Sequence, residues 1–163
     1  MVAPAPRPYQ AGMIQGIYDA WSRGTRDVLG VLPTGGGKSV IVSNIAQNDA
    51  RDTGQKAVIA HRQELVGQLS LHVARAEVPH RILAPRNVVA FISALHRREF
   101  GCSFVNPDAA TTVAGVDTLV ARKEELKQWS QQVTRWTIDE AHHVLRANKW
   151  GTAVEMFPNG WGL

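Results

Sequence analysis

Along most of this chain, short apolar runs alternate with stretches whose apolar residues recur every three or four positions. The runs 28–32, 57–60, 81–84, 111–114 and 134–138 are short and bounded by turn residues, so each predicts a strand. Between them lie helical patterns. Met13, Ile14, Ile17 and Trp21 share one face of a helix over 9–21, with Gly24 as its stop. Ile41, Val42, Ile45 and Ala46 mark the buried side of a second helix, and Leu65, Val66, Leu69 and Val73 that of a third. Asn87 is placed to cap a fourth helix running to Phe100, with Val88, Phe91, Ile92 and Leu95 inward. Residues 101–110 read as a loop, and a charged helix is expected over 118–129. Strands alternating with helices predict an α/β fold, a parallel sheet with helices on both faces. Ligands of such sheets bind at the carboxyl ends of the strands.

Composition narrows this little. A length of 163 residues suits one ordinary domain, and 44% hydrophobic with 20% charged residues is normal for a globular one. The formal charge of +4 weakly favours a polyanionic partner. The single cysteine, Cys102, excludes an internal disulfide and a cysteine-based zinc site, and fits a reducing compartment. No apolar stretch is long enough to span a membrane, and Met1–Pro8 lacks the apolar core of a signal peptide. Its alternating prolines predict a flexible tail over residues 1–8, ahead of one domain over 9–163.

The chemistry concentrates in two places. Leu32-Pro33-Thr34-Gly35-Gly36-Gly37-Lys38-Ser39 lies between an apolar strand and a helix, the setting of a phosphate-binding loop. The backbone N–H groups of Gly35, Gly36 and Gly37 are placed to form an anion nest, reinforced by the positive end of the helix. Lys38 would reach the β- and γ-phosphates, and the Ser39 hydroxyl would ligate Mg²⁺. The strict pattern has glycine where Leu32 stands. The second place is Asp139-Glu140, at the end of the 134–138 strand. There Asp139 is assigned to the metal, and Glu140 to orienting and deprotonating the attacking water. Neighbouring acids also suit the start of a helix, so this pair gains its meaning from the upstream loop. No His-Glu-x-x-His pattern is present, which argues against a zinc hydrolase.

Together, Pro33 to Ser39 and Asp139-Glu140-Ala141-His142 resemble motifs I and II of the superfamily 2 helicases, the DEAD/DEAH-box group. The resemblance implies a RecA-like P-loop domain using ATP and Mg²⁺, tolerates a residue other than glycine at Leu32, and adds Thr34 to the nucleotide contacts and His142 to the catalytic set. Arg7-Pro8-Tyr9-Gln10 resembles the motif in which a glutamine reads adenine, so Arg7, Tyr9 and Gln10 are expected at the base. Ala60-His61-Arg62-Gln63-Glu64-Leu65 resembles motif Ia, and Val113 to Leu119 resembles motif Ib. These imply nucleic-acid contacts at His61, Arg62, Gly115, Asp117 and Thr118, DNA being favoured over RNA. Arg62, and the charged face carrying Arg122, Lys123 and Lys127, also read as ordinary solvated helix surface. The flavour is that of helicases common in bacteriophage genomes, near the repair and restriction translocases. It implies a cytoplasmic location, the host cytoplasm if viral.

Helicases of this kind pair two RecA-like domains, the second supplying arginine fingers. The residues here are expected to form the first, incomplete at its C-terminal end before motif III. The motif III strand lies between the motif I and motif II strands in such sheets, so a central strand is expected to be missing. The leading expectation is the ATP-binding domain of a helicase or translocase. The alternative is a non-catalytic module that binds nucleotide or nucleic acid and regulates a full-length partner. A metabolic P-loop kinase fits less well, because Asp-Glu-Ala-His points to water as nucleophile.

Overall fold

The computed structural model describes residues 5–33, 35–60, 62–141 and 148–163. The elements in chain order are α1 (Pro8–Ser22), α2 (Lys38–Asp49), β1 (Gln55–Ala60), α3 (Val66–Arg75), β2 (His80–Leu83), α4 (Arg86–Phe100), β3 (Thr111–Gly115), α5 (Val116–Ala121), α6 (Lys127–Gln131), β4 (Val133–Ile138), α7 (Lys149–Glu155) and β5 (Trp161–Gly162). The five strands form one parallel sheet in the order β2-β3-β1-β4-β5. Successive residues of β1 face opposite ways. Val58 and Ala60 pack with Val42 and Ala46 of α2, Leu69 and Val73 of α3 and Ile92 of α4. Ala57 and Ile59 pack with Val116 and Leu119 of α5 and Ala153 of α7. This period of two, buried on both sides, explains why the central strands read as continuous apolar runs. A third cluster joins Ile14, Ile17 and Trp21 of α1 to Ile41 and Ile45 of α2.

The α/β sheet with helices on both faces is as expected, and four of the five predicted strands form. The run 28–32 does not become a strand. The chain meets the sheet here at one bridge, between Asp27, just ahead of the run, and Gly162. Trp161 to Leu163 lie between β4 and this segment, where a strand was expected to be missing. Leu163 N–H donates to Trp136 O at 3.0 Å and Ile138 N–H to Leu163 O at 2.8 Å. On the other side, Gly162 N–H donates to Arg26 O and Val28 N–H to Gly162 O. Beyond Leu163 a cleft separates β4 from the extended residues Leu29 to Leu32.

Three helical details also differ from expectation. Pro8 opens α1, where its missing N–H costs nothing and its fixed φ suits the first turn, one residue ahead of the expected start at 9. Pro85 rather than Asn87 precedes the first residue of α4. The charged helix over 118–129 is two short helices, α5 and α6, separated by turns at 122–126.

One polar cluster is enclosed within the core. Ser70, His80 and His96 are fully buried. Phe104 N–H donates to His96 Nδ1 at 3.3 Å, leaving His96 Nε2–H to donate to Ser70 Oγ at 3.0 Å. The Ser70 hydroxyl then donates to His80 Nε2 at 2.7 Å, and His80 Nδ1–H to Val78 O at 2.8 Å. Each of the Ser70, His80 and His96 side-chain polar atoms is thereby paired with both imidazoles neutral. Burial pushes His80 down to about 4, helped by neighbouring His96, and lowers His96 as well.

Candidate functional site

The glycine loop links the extended segment to α2. Gly37 precedes Lys38 with φ of 79°, a left-handed conformation natural to glycine. A Cβ there would meet only the end of the Gln10 side chain at close range, so the left-handed backbone is what calls for glycine. Val40 N–H and Ile41 N–H turn back to Gly37 O and start the helix. Gly36 N–H donates to Pro33 O at 2.9 Å, so one of the three donors expected in the anion nest is engaged within the loop. Leu32, at the position of the usual glycine, packs against the cluster formed by α1 and α2.

Across the sheet, β4 is followed by Asp139, whose N–H donates to Ile59 O at 2.9 Å. Glu140 follows with φ of 61°, a left-handed backbone that non-glycine residues rarely adopt. That turn brings its carboxylate to the loop. Lys38 Nζ lies 3.0 Å from Glu140 Oε1, although 102 positions separate the residues. Both side chains are partly exposed, so the ion pair is worth at most about 1 kcal/mol and exchanges easily. Lys38, Asp139 and Glu140 border the cleft, of about 220 Å³, together with Gly30, Leu32 and Leu163. Behind them, burial lowers His72, as does nearby Arg75, against the pull of Asp139.

The donor set fits a magnesium-bound triphosphate: an ammonium and helix-terminal N–H groups for phosphate, and a hydroxyl and carboxylates for the metal. Ser39 is the second residue of α2, beside Lys38. Thr34 and His142 lie outside the described residues. Tyr9 and Gln10 make a contact that the resemblance did not specify. Tyr9 Oη donates to Gly36 O at 3.0 Å, and Gln10 Nε2 donates to the same oxygen at 3.0 Å. The Gln10 amide oxygen accepts Arg7 N–H at 2.8 Å, and the residue is buried. The start of α1 therefore holds the glycine loop directly. Sequence reasoning missed this contact, which joins residues 26 and 27 positions apart and leaves no local pattern.

The strand-binding candidates gather at the carboxyl edge of the sheet. Ala60 and Gly115 are paired in register, so the segments after β1 and β3 emerge side by side. Arg62 and Asp117 are exposed, Thr118 is half-buried and Gly115 is buried. Asp117 is engaged by Lys149 Nζ at 2.6 Å, which turns its carboxylate toward α7. His61 lies outside the described residues. Among those described, no group of His, Cys, Asp and Glu resembles a metal cluster, and no helix is long and apolar enough to cross a membrane.

Comparison with known proteins agrees with this geometry. Residues 3–162 match the family described as type III restriction enzyme, res subunit. The candidate ATP-dependent helicase IRC3 of Saccharomyces cerevisiae is 27% identical over 162 residues, covering 95% of this chain and 21% of that protein. The chain thus spans about a fifth of that relative's length. A crystal structure of the UvsW helicase from bacteriophage T4 superposes with a TM-score of 0.66 at 19% identity, covering 97% of this chain and 51% of that one. A second T4 UvsW structure gives 0.69 at 17% identity, covering 97% and 29%. These two show a shared fold. With a matching family over nearly its whole length and a five-stranded parallel sheet carrying a glycine loop, the chain belongs to the type III restriction enzyme res subunit family and has the N-terminal RecA-like domain of a superfamily 2 helicase.

Proposed function

We propose that this domain binds ATP with Mg²⁺ and hydrolyses it to drive movement along nucleic acid, DNA rather than RNA, as part of a helicase or translocase. The observation that carries the proposal is the meeting of Lys38 and Glu140 at 3.0 Å beside Asp139. Lys38 and the N–H groups at the start of α2 take the phosphates, with Thr34 and Gly35 to Gly37 shaping the loop. Ser39 and Asp139 hold the metal, which when bound offsets the charge of the β- and γ-phosphates. Glu140 accepts a proton from the attacking water, with His142 beside it in sequence. While Lys38 pairs with Glu140, the ammonium is held from phosphate and the carboxylate from water. Exchange of Glu140 for phosphate at Lys38 frees both groups together. Arg7 and the ring of Tyr9 take the base, buried Gln10 acts through the glycine loop that it holds, and Arg62 with Thr118 grips the strand. A second RecA-like domain completes the nucleotide cleft.

Titration calorimetry with Mg-ATP and a turnover assay test this. Lys38→Ala is expected to weaken binding beyond detection. Glu140→Gln is expected to keep binding while lowering turnover by about 10²–10⁴-fold, the usual contribution of a positioned general base. Single-stranded DNA should raise the turnover of the wild type more than RNA does. Binding without turnover, even with a second domain supplied, would favour the non-catalytic module. No heat from the wild type would end the reading.

A further inference from the structure

The outer face of α4 has no part in the site described above. This helix has 15 residues, and at about 100° per residue Arg86, Asn87, Ala90, Phe91, Ala94, Arg97 and Arg98 fall on one arc of about 140°. All seven are exposed. The arc carries three arginines and no acid. Glu99 lies on its flank, with Oε1 3.5 Å from Arg98 Nη2. Phe91 is 64% exposed, although the apolar spacing of the helix predicts it inward. The helix is rotated because Ile92 and His96 are its buried residues, His96 being drawn in by Ser70. Ala90 and Ala94 lie within the arc beside the phenyl ring and leave it approachable.

A single exposed phenylalanine is ordinary. A phenyl ring among three arginines on an acid-free face is what a chain of phosphates and bases needs: guanidinium groups for phosphate and a ring for a base to stack on. Position supports the same occupant. Only Ala84 and Pro85 separate the end of β2 from α4, and β2 pairs with β3, so Arg86 starts at the carboxyl edge where the segments after β1 and β3 emerge. From there the face extends about 18 Å to Arg98. Resting on the reading of this domain as a nucleic-acid motor, we infer that the outer face of α4 carries single-stranded nucleic acid onward from that edge, with Phe91 stacking on a base and Arg86, Arg97 and Arg98 on phosphates.

Fluorescence anisotropy with labelled oligo-dT over a salt series tests it. Phe91→Ala is expected to weaken binding roughly 5- to 100-fold, as loss of one stacked base does. Changing Arg86, Arg97 and Arg98 together to Gln should flatten the slope of log K against log salt by about 2, three phosphate contacts at ~0.7 each. Arg62→Gln should flatten it by less than 1. A benzophenone-bearing residue in place of Ala94 should crosslink to the oligonucleotide. Oligo-dT binding that is tight, salt-sensitive and unchanged by the α4 substitutions, with no crosslink, overturns this inference and leaves the proposed function standing. Wild type that binds no strand at all brings down both. Preference for polyglutamate over oligo-dT, abolished by Phe91→Ala, overturns the choice of occupant.

Discussion

The two halves of the sheet are built differently. On one side, β2, β3 and β1 pair continuously in register and are covered on both faces by helices. On the other, β4 meets β5 through only two residue pairs, Gly162 meets Asp27 through one bridge, and a cleft follows. The dense half contains the fully enclosed Ser70–His80–His96 chain, whereas the open half exposes Leu29 and Val31 at 68% and 76%. The candidate nucleotide groups stand where the two meet, with Asp139 and Glu140 at the end of β4 and Lys38 across the cleft. Among the described residues, the continuous pairing and the enclosed polar chain lie away from the candidate nucleotide groups. The Lys38–Glu140 pair lies beside the cleft and is partly exposed, as expected for ligand-binding segments.

Four measurements would break or sharpen this contrast. In the dense half, Ile92→Ala removes a buried side chain between α4 and the sheet and should cost about 2–5 kcal/mol in denaturant unfolding. The buried histidines should make the same half acid-sensitive. His80 titrates lower when folded than when unfolded, so the unfolded chain binds more protons between pH 6.5 and about 4. Stability should be full above pH 6.5 and fall by about 3 kcal/mol as pH drops to 4, His96 acting in the same direction. Thermal melts across that range should lose most of the slope in His80→Gln. At the boundary, a Cβ on Gly162 would lie 2.0 Å from Trp136 Cζ2, so Gly162→Ala should cost about 1–3 kcal/mol through overpacking. In the open half, Leu29→Ala and Val31→Ala should change stability by no more than about 0.5 kcal/mol, being surface changes. Costs there matching Ile92→Ala would remove the contrast.

Much of this was legible in the sequence, for identifiable reasons. Strands buried on both faces leave unbroken apolar runs, which is how β1 and β3 show themselves. A glycine loop between strand and helix, and two acids after a strand, mark the ends that meet at Lys38 and Glu140. What was hidden depended on long-range partners. The run 28–32 has strand chemistry, but pairing is a property of two segments, and of this run only Val28 bonds to Gly162, beside the Asp27 bridge. Phe91 was misplaced because a histidine does not count as apolar, while His96 is buried as one through Ser70. Tyr9 and Gln10 touch Gly36 from 27 and 26 residues away, which local periodicity does not register.

Helix α1 is tethered at both ends. Tyr9 and Gln10 fasten one end to Gly36 O, and about 16 Å along the axis Trp21 Nε1 donates to Gly162 O at 3.2 Å. A stiff rod pinned at two points transmits displacement rather than absorbing it. Any shift of the loop carbonyl therefore pulls on the strut whose far end leans on the last strand of the sheet, so the two places move as one linkage.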